Sequence, residues 1–184
     1  MLLRTVQPHF GDRLQINWRN FSLEQVNSKQ GPDWHVWDAP DGYESRSLLA
    51  FRASEAARRQ GPTPFAAFHF ALLEARHVHK ADIADRTVIL SVAESANLDM
   101  ERFKRDLEDP DILRGLAADH TYAVEQLGIF GTPTFVFPGN LAGYVRLMPA
   151  PTDRGEALRV FDLLRQSIGE TPNLFEIKRP MPLR

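Results

Sequence analysis

Cysteine is absent from all 184 residues, which excludes disulfides, thiolate metal sites and any thiol nucleophile supplied by this polypeptide. Long apolar runs are also missing, since none approaches the roughly 18–20 residues needed to span a bilayer. The opening stretch Met1-Leu2-Leu3-Arg4-Thr5-Val6-Gln7-Pro8 is too poor in apolar residues and too soon interrupted for a signal peptide, so the expected location is cytoplasmic. No charge sign dominates: the net charge is -2 and the pI is near 6.3. That balance leaves no broad footprint for nucleic acid or an anionic membrane, and neither is expected as a partner. A Gly-X-Ser-X-Gly elbow, a Gly-rich phosphate loop and internal repeats are all lacking. Ser45, Ser47 and Ser54 stand without a nearby base pattern, so hydrolase and nucleotide-enzyme readings gain no support.

What remains is an ordinary globular composition, 43% hydrophobic and 25% charged, in a length suited to one domain or one domain carrying an insertion. Leu2 to Phe10 reads as the last turns of a helix stopped by Pro8 and Gly11. Residues 14 to 21 alternate, with Leu14, Ile16 and Trp18 on one side and Gln15, Asn17 and Arg19 on the other, which predicts a first strand. Ser22 to Tyr43 reads as a loop pinned by Trp34 and Trp37. From Glu44 to Leu127 the period is helical: Leu48, Leu49, Ala53, Ala56 and Ala57 share one face, and Phe65, Phe68, Leu72 and Ala75 the next, with Gly61-Pro62 between them. Val88 and Val92 mark a third helix and Asp99 caps a fourth through Leu107. Asp109-Pro110 opens a helix that stops at Gly128.

After Gly131-Thr132-Pro133 the pattern turns to strands. Thr134 to Phe137 predicts a strand, Pro138-Gly139 a type II turn, and Gly143 to Met148 the returning partner. Asp153, with Glu156 three residues on, reads as a capping box for a last helix bearing Ala157, Phe161, Leu164 and Ile168. The chain is therefore an α/β arrangement with inserted helices.

The run Asp119-His120 through Ala123 to Gly128, followed by Gly131-Thr132-Pro133-Thr134-Phe135, resembles the DsbA-like branch of the thioredoxin fold. That branch includes predicted dithiol-disulfide isomerases, hydroxychromene-carboxylate isomerases and kappa-class glutathione transferases. The resemblance implies an α/β, thioredoxin-like fold with an inserted helical block, N-terminally incomplete. Residues 1–42 and 108–170 would form the thioredoxin-like domain, 43–107 the inserted helices and 171–184 an extended tail. It also implies a cis Thr132-Pro133 bond. Thr132 and Pro133 would then be the substrate-binding residues, with Thr132 offering its main-chain N–H and C=O to an extended peptide or a small thiol such as glutathione.

The family's first strand and Cys-X-X-Cys are expected before residue 1. No position here matches that motif, so no catalytic, cofactor-binding or metal residue is carried over, and no cofactor is expected. Three arrangements answer the missing strand: a start recorded too late, the chain's own Leu174 to Lys178 acting as a strand, or a second copy in a homodimer. The first is preferred. The function expected is that of a DsbA-like thiol-disulfide oxidoreductase or isomerase whose redox centre lies outside this chain. The alternatives are a non-catalytic binding or dimerisation module, or a glutathione-dependent isomerase or transferase with an upstream serine.

Histidines offer little further chemistry. His69, Glu74, His77 and His79 lack the i, i+4 pairing of a helical metal site and are expected to be solvated or locally bonded. His120 falls on an apolar face with Leu113, Leu116, Ala123 and Leu127, which predicts a core histidine with a hydrogen-bond partner.

Overall fold

The computed structural model describes residues 2–40 and 42–178. Its elements run α1 (Leu2–Phe10), α2 (Leu23–Val26), α3 (Leu48–Arg58), α4 (Pro62–His77), α5 (Arg86–Ser95), α6 (Met100–Leu107), α7 (Arg114–Glu125), β1 (Thr134–Phe137), β2 (Leu141–Tyr144) and α8 (Arg154–Leu164). Short 3-10 turns occupy Gly11–Arg13, Val36–Asp38 and Pro110–Leu113, and a π-helical turn, Arg165–Gly169, extends α8.

Contacts gather these elements into two compact units, Met1–Ile16 with Gly131–Arg184, and Asn17–Phe130. The expected division at 1–42 with 108–170, 43–107 and 171–184 follows the resemblance rather than these contacts.

The helical unit closes around small and aromatic side chains. Ala53, Ala56 and Ala57 of α3, Phe68 of α4, Ile89 and Ala93 of α5 and Phe103 of α6 are fully buried. The alanine face lets neighbouring helices approach closely, and Phe68 and Phe103 meet with ring centroids 5.7 Å apart. Side-chain caps set the boundaries: Asp85, Asp99 and Asp109 each accept a backbone N–H at the start of their turn, as the helix-start pattern requires. Gly61, at φ +112, turns the chain between α3 and α4.

In the other unit α1 and α8 pack through Leu2, Val6, Ala157 and Phe161, with Phe135 of β1 against the same cluster. Strands β1 and β2 are antiparallel, pairing Thr134 with Tyr144, Phe135 with Gly143, Val136 with Ala142 and Phe137 with Leu141. Gly139 adopts φ +81 and Asn140 φ +60, so the reversal falls one residue later than Pro138-Gly139 alone. The chain then pairs at once, Leu141 with Phe137, so the returning strand is Leu141–Tyr144 rather than Gly143 to Met148. Asp153 caps α8 by accepting the Glu156 N–H at 2.8 Å.

Three further expectations are corrected. Helix α1 continues through Pro8 to Phe10, and Gly11, at φ +54, ends it. Residues 14–21 keep their alternation of burial but form no strand: a strand needs a ladder partner, and among the described residues the sheet contains β1 and β2 alone. Helix side chains serve part of the backbone instead, with Asp119 accepting the Asn20 N–H at 2.9 Å and the Arg58 guanidinium donating to the Trp18 carbonyl at 3.1 Å. Leu174 to Lys178 is likewise unpaired and its Phe175 is 96% exposed; residues 179–184 of the expected tail lie outside the described ones.

Candidate functional site

The expected substrate-binding residues sit at the entrance to β1, where the Thr132–Pro133 bond is cis and both residues are exposed. The Thr134 hydroxyl donates to the Gly131 carbonyl at 2.7 Å and ties the loop to the strand it precedes. The Val145 N–H donates to the Pro133 carbonyl at 3.0 Å. That bond places Pro133 and Val145 at a hydrogen-bonded position of the antiparallel ladder. Such positions alternate with non-bonded ones, so Phe135 and Phe137 also face β2. The main-chain groups of Thr132, Thr134 and Val136 consequently face the opposite edge, which has no neighbouring strand among the described residues.

The sequence expectation named Thr132 and Pro133 alone; Thr134 and Val136, whose outward groups continue the same row, were not named in it. The missing signal was the register, because which alternate residues face outward depends on the pairing with β2. One face of the hairpin carries the side chains of Val136, 46% exposed, and of Tyr144 on β2, 45% exposed.

The helical unit holds a separate polar assembly around residues 18–22. His120, on α7, is buried and its Nδ1 accepts the Ser22 N–H at 3.1 Å, so the neutral ring carries its proton on Nε2. Phe21 and Trp37 lie against the imidazole at 4.7 and 5.3 Å. Burial, and secondly the charge of His35, lower the His120 pKa. Asp119 accepts the Asn20 N–H and the Arg19 guanidinium, while the Asn20 amide donates to Glu55 at 2.7 Å. Glu55 also accepts from Arg58 at 3.1 Å, and that guanidinium lies 4.0 Å over the Phe65 ring.

His69 corrects the expectation that the α4 histidines are solvated. Its ring lies against Trp18, tilted by 42° with centroids 4.2 Å apart, and its Nε2 is buried without a hydrogen-bond partner. Burial first, and then the Arg58 charge, lower its pKa to about 4. His77 and His79 are exposed. Among the described residues no three His, Asp or Glu side chains gather closely enough to hold a metal ion. No described helix is long and apolar enough to cross a membrane.

The α/β architecture and the Thr132-Pro133 loop at the head of a β-hairpin define a class of protein, and comparison with known families agrees: residues 10–142 match the thioredoxin family model, and the chain belongs to the thioredoxin family. Among individual proteins, it is similar to the ClpXP adapter protein SpxH of Bacillus subtilis (strain 168), with 33% identity over 116 residues, 62% of this chain and 38% of that protein. The ClpXP adapter protein SpxH of Bacillus licheniformis is 30% identical over 136 residues, 74% of this chain and 43% of the relative. The chain thus spans about two fifths of the length of the curated relatives it matches.

Proposed function

We propose that this chain is a polypeptide-binding module of the thioredoxin family that works without a thiol of its own, holding an extended segment along Thr132, Thr134 and Val136. The observation that carries this reading is the row of outward main-chain groups beside β1, which a bound segment would satisfy as an added strand. The relatives' printed name, ClpXP adapter protein, supports a protein-binding reading, and ClpXP is the partner to test. The finer DsbA-like reading, a thiol-disulfide oxidoreductase or isomerase, needs an attacking thiolate that none of these 184 residues provides. A glutathione-dependent isomerase or transferase would need its reacting group supplied from outside them as well. Glutathione at Thr132 is therefore proposed only as a competitor for the edge.

The test uses fluorescein-labelled lysozyme, reduced and carboxymethylated so that it is unfolded and has no free thiol. Its fluorescence anisotropy should rise on titration with the chain. Val136→Pro removes one outward N–H while leaving the ladder to β2 intact, and should weaken binding about tenfold, or about 1.4 kcal/mol. Ala142→Pro removes an N–H from the opposite edge, because Ala142 faces Val136 at a non-bonded position, and should bind as the parent does. Equal affinity for all three, or no binding by the parent, overturns the proposal. Adding purified ClpXP to the same samples reads whether the held polypeptide is degraded faster.

A further inference from the structure

A second segment in the same unit, outside any helix, turn or strand, has free main-chain groups. Phe175 to Lys178 carries no helix, turn or strand, and among the described residues none of its N–H or C=O groups is hydrogen-bonded. Phe175 and Ile177 are 96% and 76% exposed, and at a period of two they lie on one side of an extended chain. Two large apolar side chains so placed give one face of a strand without the surface it would cover. The root of the segment is held: the Thr171 hydroxyl donates to the Gln166 carbonyl at 2.9 Å, and the Leu174 N–H to the Thr171 carbonyl at 3.0 Å.

We propose that Phe175–Lys178 is a docking strand for the β1 edge of a second copy of this chain, exchanged reciprocally in a two-fold dimer. Edge and segment match in kind and in length. Thr132, Thr134 and Val136 offer outward N–H and C=O groups over five residues, and the segment offers free groups over four. Its apolar side chains can cover the open face bearing Val136 and Tyr144. Phe175 follows directly on the turn closed by the Leu174 N–H, and at 96% exposure its ring is uncovered by its own unit. Reciprocal exchange uses one patch on both copies and closes after two, and it removes an open edge from each. The inference rests on reading the β1 edge as a polypeptide-binding site and names one occupant of it.

Light scattering behind size exclusion on the full chain, over a concentration series, tests it. The parent should approach twice 20.9 kDa. Phe175→Asp/Ile177→Pro, with a damaged segment, and Val136→Pro, with a damaged edge, should each stay near the monomer mass with unchanged far-ultraviolet circular dichroism. Mixed, these two variants should associate, since one keeps an edge and the other a segment. A monomeric parent, a segment variant that dimerises as the parent does, or two variants that fail to associate each overturn the inference. The labelled lysozyme separates this from the broader reading. The segment variant should bind it several-fold more tightly than the parent, because its edge is vacant. If that variant binds the probe while no dimer is found, only the exchange falls; if it binds no probe either, the edge reading falls with it.

Discussion

His69 is the residue whose environment departs furthest from its sequence context. Its pKa, lowered from 6.5 to about 4 by burial and then by Arg58, keeps the ring neutral in the folded chain down to acid pH, whereas the unfolded chain takes up the proton below about 6.5. The unfolded state then binds more protons, so stability is complete above about pH 6.5 and falls as the pH drops towards 4. The loss is of order 1–3 kcal/mol. The downward shift of His120 acts in the same direction. Thermal melting of His69→Phe should show a flatter dependence between pH 7 and 4.5 than the parent, because a phenyl ring fills the place beside Trp18 without a proton to gain. Asp119 is a second such point: Asp119→Ala leaves the Asn20 N–H without its acceptor and releases Arg19. It should cost about 1–3 kcal/mol in urea unfolding.

At the level of elements, the hairpin and the end of α8 depend on close approach. A side chain at Gly143 would place its Cβ 2.6 and 2.7 Å from the Ile168 Cδ1 and Cγ1, well inside contact distance. Gly143→Ala should therefore destabilise the chain by about 1–3 kcal/mol, and Ile168→Ala in the same molecule should recover most of that loss, a coupling read from a double-mutant cycle of urea unfolding. Asp153→Ala removes the cap on the Glu156 N–H and should cost about 1 kcal/mol. Helix faces and caps were legible because they follow from neighbours three or four residues apart. Residues 14–21 show the limit of such reading. Their alternation is real as burial, yet a strand is a relation between two segments, and here side chains from α3 and α7 bond to this stretch without forming a ladder. The returning strand begins two residues and ends four residues earlier than Gly143 to Met148, because Gly139 and Asn140, both at positive φ, bring the chain back so that Leu141 already pairs with Phe137.

For the whole molecule, membership of the thioredoxin family and the lack of cysteine pull in different directions. Fold and site are separable, and these residues carry the family scaffold without a thiol among them. These 184 residues should not accelerate the dithiothreitol-driven reduction of insulin above the uncatalysed rate. Binding of carboxymethylated lysozyme should be unaffected by N-ethylmaleimide, since there is no thiol to modify. Turbidity from insulin aggregation checks the first outcome and anisotropy the second.

By itself the amino-acid sequence determined the exclusion of thiol chemistry, the succession of helices and the position of the Thr132-Pro133 loop, because composition, helical period and turn residues are local properties. Only the tertiary structure decided that the predicted first strand has no ladder, that the His69 ring lies half-buried against Trp18, and that Thr134 and Val136 turn their main chain outward. Each of these depends on which distant segment comes to lie alongside, and that is settled by packing and pairing rather than by neighbours in sequence.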